Sequence, residues 1–276
     1  NPYANSSDKN EICYFMGGFY VTMYARIDEK NPERKQTLRE HCRAVADCCG
    51  KTLQPVSLYS LGYLAGLLHD FGKARACYQD YLFESDPKKK KALKGKINHS
   101  AAGAQWLAKR YGNRKDKDST LALELLCLAI TGHHAGLSDC LTPMGEDALM
   151  NRVFPERSDI ELSECEKNFF GGAIADTAEI DRLFDKACTE AAELISRAFT
   201  EALNLMTFRP EGMSEAASKK NRTVDGRIYT FLYSQLGLAA RFLLSAIVDA
   251  DRYNALFFEQ NGNVEEPPRA NKAFWH

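Results

Sequence analysis

Apolar residues recur along this chain at spacings of three and four, while the alternation a half-buried strand needs is confined to residues 20–25. Such spacing puts side chains on one face of a helix, so the pattern predicts an all-α fold. Leu38, Cys42, Val45 and Cys49 form one stripe with His41 at its edge, and Leu58, Leu61, Leu64 and Leu68 form another that runs straight into His69 and Asp70. Gly72 then acts as a stop signal. Residues 121–134, 161–206 and about 222–258 read as further helices, the second broken at Gly171 and Gly172. A helix through His99, Ala102, Trp106 and Leu107 is expected to start at Asn98, a favourable N-cap. The lysine-rich stretch 86–96 reads as a surface loop. Residues 136–158 and 209–220 read as loops, the first long enough for a flap, and 259–276 as a C-terminal tail. No repeat divides the 276 residues, and no point separates two cores, so 1–276 is expected to form a single domain.

Composition excludes several classes. With 45% hydrophobic and 26% charged residues the chain has the balance of a folded domain rather than a disordered tail. A formal net charge of -1 gives no global attraction to nucleic acid, so phosphate binding must come from a local patch or from metal ions. The nine cysteines lack any C-x-x-C pair, which argues against a zinc ribbon or disulfide framework and for a reducing cytoplasm. The first residue is Asn1, as expected of a trimmed chain, and no charged-then-apolar leader opens the sequence. Residues 228–248 have the length of a membrane span with Arg241 as their only charge, but Gln235, Ser234, Ser245 and the central arginine weigh against insertion. That segment is predicted to be a buried core helix, and no membrane partner is expected. Gly50-Lys51-Thr52 imitates the end of a phosphate-binding loop, but Val45 stands where its first glycine is required.

Five of the six histidines carry the functional signal: His41, His69 with Asp70 behind it, His99, and the adjacent His133 and His134. Imidazole together with carboxylate suits a redox-capable or borderline divalent metal. A late acid, Asp249 or Asp251, lies in the apolar stretch SAIVDADRYNAL and can complete the set. There are too many donors for one ion and enough for two. Each has a plainer reading: a lone histidine at a helix edge is usually structural, and a buried His-Asp pair without metal costs desolvation. His133 and His134 diverge by about 100 degrees on a regular helix, so both reach one ion best at a frayed end, which Gly136 supplies.

The order of these motifs, with helices between them, resembles the HD phosphohydrolase superfamily, and within it the HD nuclease domain of the CRISPR type I effector nuclease-helicase. The resemblance rests on Gln36-Thr-Leu-Arg-Glu-His41, Gly66-Leu-Leu-His-Asp-Phe-Gly-Lys73, Asn98-His-Ser100, Gly132-His-His-Ala-Gly136 and Asp249-Ala-Asp-Arg252. It implies a helical bundle with a metal site between helices. One ion would be held by His41, His69, Asp70 and the late acid, and a second by Asp70, His99, His133 and His134, with Lys73 facing the phosphate. Asp70 and Lys73 would be the catalytic pair. Asp251 is the favoured late acid because Leu243, Ile247 and Asp251 share an i, i+4 face, and Asp249 is the alternative.

The implied chemistry is phosphodiester hydrolysis by water activated between two divalent ions. Five imidazoles and two carboxylates favour iron, manganese, cobalt or nickel over magnesium. The implied substrate is single-stranded DNA, and the implied partners are a helicase, on the same chain or a separate subunit, and the CRISPR surveillance complex. Lys88, Lys89, Lys90, Lys91, Lys94 and Lys96 either track a DNA backbone or solvate a loop. Phe71, Tyr78, Tyr81 and Trp106 either stack on bases or pack the core, and helical spacing favours the core. Two rival functions are a small-nucleotide phosphohydrolase, for which no arginine cluster is visible near the motifs, and a metal-stabilised docking module without catalysis.

Overall fold

Thr37 decides where the first helix begins. Its hydroxyl accepts the Glu40 N–H while the Glu40 carboxylate accepts the Thr37 N–H, satisfying reciprocally two donors of the helix start. The computed structural model describes residues 22–137, 144–155, 160–207 and 224–260. Among these, ten α-helices and one two-stranded hairpin form an all-α bundle. Strand β1 (Tyr24–Ile27) pairs antiparallel with β2 (Lys35–Thr37), placing Arg26 opposite Gln36. The strand thus starts later than the alternation at 20–25 suggested, and its polar partner Lys35-Gln36-Thr37 had no strand signature. Residues 20 and 21 lie outside the described residues.

Helix α1 (Leu38–Leu53) leads through a short 3₁₀ turn to α2 (Tyr59–Leu68). Helix α1 runs straight through the phosphate-loop mimic at Gly50-Lys51-Thr52. At Gly66 a Cβ would approach the Ala46 Cα to 2.8 Å, so glycine there permits α1 and α2 to pack backbone to backbone. Helix α2 also lies against α6 (Lys117–Gly132), α9 (Thr177–Thr207) and α10 (Val224–Glu259). Leu61, Leu64, Leu67 and Leu68 are fully buried as a result. This central position carries the chain after Leu68 into the middle of the molecule, where His69 and Asp70 sit. A 3₁₀ turn, Phe71–Ala74, follows directly.

The far side of that turn is built on aromatics. Phe71 packs on Phe169 of α8 (Leu162–Gly171) and Trp106 of α5 (Ala102–Tyr111), with ring centroids 4.8 and 5.6 Å apart. Phe71, Trp106 and Tyr78, the last from α3 (Ala76–Phe83), are therefore buried core residues, and Tyr81 is half-buried.

Four local expectations are corrected. The lysine-rich stretch contains α4 (Pro87–Leu93), because the Asp86 side chain caps the Lys88 N–H, Pro87 presets the first turn, and lysine is a good helix former. Helix α5 starts at Ala102 with Ala101 as an unassisted N-cap, so His99 lies in the turn before the helix and Asn98 does not cap it. Within 136–158, Asp147 caps a further helix, α7 (Ala148–Val153), while 138–143 and 156–159 lie outside the described residues. The apolar C-terminal helix is not wholly buried. Helix α10 is long and apolar enough to cross a membrane by length and composition, yet only 28% of its most apolar window is buried. It lies on the outside of the bundle, burying a stripe of Ala239, Leu243, Ala246, Ile247 and Ala250 against the other helices while Tyr233, Leu238 and Phe242 remain exposed. The break at Gly171-Gly172 separates α8 from α9, whereas the loop at 209–220 and the tail beyond Gln260 lie outside the described residues.

Candidate metal centre

Four helices and one turn deliver the ligand candidates. His41 comes from α1, His69 and Asp70 from the end of α2, His99 from the turn before α5, His133 and His134 from the end of α6, and Asp251 from α10. They meet as two groups sharing Asp70: His41, His69, Asp70 and Asp251, and Asp70, His99, His133 and His134, with the ligand atoms of each group within 4.8 Å of one another. In the first group His41 Nε2 is 2.9 Å from Asp70 Oδ2, 3.2 Å from His69 Nε2 and 3.4 Å from Asp251 Oδ1. In the second, Asp70 Oδ1 lies 3.8 Å from His99 Nε2 and 3.9 Å from His133 Nε2, and His99 Nε2 is 3.0 Å from His134 Nε2.

Local backbone determines which way the rings face. His69 Nδ1 is 2.7 Å from the Gly66 carbonyl, His133 Nδ1 is 2.6 Å from that of Ile130, and His99 Nδ1 is 3.1 Å from that of Ile97. A carbonyl only accepts, so each Nδ1 carries a proton and each ring turns its Nε2 inward. The last turn of α6 closes through Gly136 N–H donating to the Gly132 carbonyl, and Gly136 takes φ 83, a left-handed value that glycine tolerates. That tight end lets both adjacent histidines turn to the same side.

The residues fit divalent cations. Asp70 Oδ1 and His133 Nε2 are buried polar atoms with no hydrogen-bond partner among the described residues, and both point into the second group. Buried acceptors without donors are costly unless something positive meets them. In the first group, two imidazole nitrogens and a carboxylate oxygen converge in the same way. Electrostatics follows the geometry. Burial pushes the Asp70 carboxyl up, but the charges of His69 and Lys73 outweigh it and hold it well below the ordinary range. Burial pushes His69 down, yet the Asp70 carboxylate overrides it and raises the pKa. His133 is lowered to about 3 by burial and then by the His69 charge, and burial also lowers His41, His99 and His134. These rings stay neutral, as metal ligands must be.

Asp249 is exposed, whereas Asp251 shares the face of α10 that carries Leu243 and Ile247. Lys73 is buried, its Nζ 2.6 Å from Asp70 Oδ2 and 5.5 Å from the Tyr78 ring centre. It is thus directed at the carboxylate that the two groups share. The Asp70 charge raises the Lys73 pKa despite burial, keeping it cationic. Two residues at the centre lie outside the motifs read from the sequence. Arg26 on β1 places Nη2 3.1 Å from Asp251 Oδ1, and Asn254 on α10 places Oδ1 2.7 Å from His41 Nδ1. Only Asn254, three residues after Asp251 on a helix, had a position that hinted at the site.

A family model described as "Cas3, HD domain" matches residues 27–209, about two thirds of the chain. The chain belongs to the Cas3 HD-domain family. It is therefore an HD-type metal-dependent nuclease domain of the CRISPR Cas3 kind; such domains bind divalent metal, and the two His/Asp clusters could hold it. The match includes His41, His69, Asp70, Lys73, His99, His133 and His134 but ends before Asp251, so the Cas3 HD match says nothing of the late acid. A comparison with curated proteins gives no match.

Proposed function

We propose that this Cas3 HD domain hydrolyses phosphodiester bonds of single-stranded DNA during CRISPR type I interference, using two divalent transition-metal ions. Its ligands would be His41, His69, Asp70 and Asp251 for the first ion and Asp70, His99, His133 and His134 for the second. The observation that carries this reading is the division of one buried carboxylate, with Oδ2 in one histidine group and Oδ1 in the other. Held by these residues, two divalent ions would supply activation of water and stabilisation of the charge that develops in an in-line displacement at phosphorus. The imidazole-rich donor set favours iron, manganese, cobalt or nickel over magnesium.

The chain's own residues have distinct tasks. Asp70 stays ionised and orients both ligand groups. Lys73, cationic and almost wholly buried, sits against that carboxylate, where it can hold a phosphate oxygen within the same low-dielectric space. His99, His133 and His134, their pKa values lowered by burial, stay neutral at neutral pH, as metal ligands must be. Lys88, Lys89, Lys91, Lys94 and Lys96 are exposed just before His99, a basic track for a DNA backbone. Strand delivery would come from a helicase and the CRISPR surveillance complex, in the cytoplasm, with the whole chain acting as one domain.

The test combines elemental analysis of protein purified without chelator with cleavage assays on labelled single-stranded DNA and on free nucleotides. Two ions per chain and DNA cleavage, both lost in Asp70→Ala, are expected. Hydrolysis of nucleotides alone would favour the small-nucleotide phosphohydrolase, and metal binding without turnover the docking module.

A further inference from the structure

Of the four imidazoles whose Nδ1 contacts are described, three are turned by backbone carbonyls close in sequence; His41 is not. Its Nδ1 lies 2.7 Å from the side-chain oxygen of Asn254, 213 residues away. We propose that Asn254 is a positioning residue for the first ion: its Oδ1 accepts the Nδ1–H of His41 and so presents the His41 Nε2 lone pair to the metal. This rests on the two-ion reading above and adds to it the residue that orients one ligand.

The hydrogen-bond accounting supports the direction of that bond. Gln36 Nε2 donates to the same Asn254 oxygen at 3.0 Å, so that oxygen is an acceptor held in place from β2. A bare Nδ1 on His41 would set two acceptors against each other at 2.7 Å. The other neighbour of Nδ1, Arg26 Nη2 at 3.3 Å, is a donor and has its own acceptor in Asp251 Oδ1 at 3.1 Å. With its proton on Nδ1, His41 sets a bare Nε2 beside Asp70 Oδ2 at 2.9 Å and near His69 and Asp251, a gathering of acceptors that a cation bound among them would balance. Asp251 and Asn254 stand at i, i+3 on α10, so one helix face contributes both a ligand and the group that aims another ligand. The β-hairpin grips this face twice, through Arg26 and Gln36.

The experiment titrates Zn²⁺, a diamagnetic divalent ion that imidazole binds well, into the metal-free full chain for wild type, Asn254→Leu and Asn254→Asp, and reads the His41 ring nitrogens of the loaded protein by ¹⁵N NMR at mildly alkaline pH. In wild type, two ions bind and His41 is protonated at Nδ1. Asn254→Leu, close in size but without an acceptor, weakens one of the two sites by about 10- to 100-fold and mixes the tautomers, leaving the other site unchanged. Asn254→Asp, which can only accept, restores both the affinity and the Nδ1–H form. The proposal is overturned if Asn254→Leu binds both ions as wild type does, if Asn254→Asp is as weak as Asn254→Leu, or if wild-type His41 carries its proton on Nε2. Wild-type protein that binds fewer than two ions would instead overturn the two-ion reading, and the role of Asn254 with it.

Discussion

The backbone of His99 lies against Gly72 so closely that a Cβ at position 72 would come within 2.5 Å of the His99 carbonyl oxygen and 2.6 Å of its Cα. A residue that looked from sequence like a helix stop is thus the point where the His-Asp turn and the His99 turn are pressed together. The side chain of His99 reaches Asp70 only because its backbone is allowed this near.

Gly72→Ala should therefore push His99 away from Asp70. Forcing a methyl group into packed backbone costs about 1–3 kcal/mol, so thermal melting should show a lower midpoint. Metal titration should show the site that uses His99 weakened and the one built on His41 preserved. Equal weakening of both would mean that the close approach does not act through His99.

Lys73→Met keeps the length and burial of the side chain but removes the cation beside Asp70. If Lys73 holds a phosphate oxygen, kcat on single-stranded DNA should fall by about 10²- to 10³-fold, the loss typical of one preorganised donor. Metal content by elemental analysis should stay at the wild-type level. Loss of metal together with activity would instead make Lys73 a support for Asp70.

Acid should destabilise the metal-free protein. The His133 pKa is about 3 in the fold, held down by burial and by His69, against an ordinary value of 6.5. Between those values the unfolded chain binds a proton that the folded chain does not, so stability falls as pH drops below 6.5. His41, His99 and His134 act in the same direction, while His69, raised by Asp70, opposes them. Urea unfolding at pH 5 should give a lower midpoint than at pH 7, and His133→Asn should reduce the difference. An unchanged midpoint would contradict the lowered pKa values.

The exposed lysines of α4 can be tested by salt. If Lys88, Lys89 and Lys91 bind backbone phosphates, replacing all three with alanine should weaken single-stranded DNA binding and flatten its salt dependence. The slope of log K against log salt should shrink by about 0.7 for each phosphate no longer neutralised. An unaltered slope would leave these residues as a solvated helix.

Phe169→Ala tests the aromatic support behind the site. Phe169 is fully buried against Phe71, the residue that follows Asp70. Its truncation should cost about 3–5 kcal/mol of unfolding free energy, measured by denaturant titration.

Much of this was legible in the sequence because helical period and ligand type are local properties. The stripes at 38–49 and 58–68 became α1 and α2, and the motifs at 66–73 and 132–136 were readable because turn residues and ligands adjoin in sequence. Where reading failed, the deciding interaction came from elsewhere in the chain. Asn98 does not cap α5, since His99 is instead held against Gly72, and α10 keeps an exposed apolar face because only one side of it meets the bundle. Hydropathy counts apolar residues but not the surfaces available to cover them. The Cys and Leu periodicity determined which segments are helical, and the His and Asp residues determined what chemistry those segments can carry. Tertiary packing alone decided that the two oxygens of Asp70 face different histidine groups and that Asn254 and Arg26 stand behind them, whereas Asp251, which faces His41, was already favoured over Asp249 by its helical face. Side chains separated by up to 225 residues meet there because α2 is buried among α1, α6, α9 and α10, a relationship in space that no local pattern encodes.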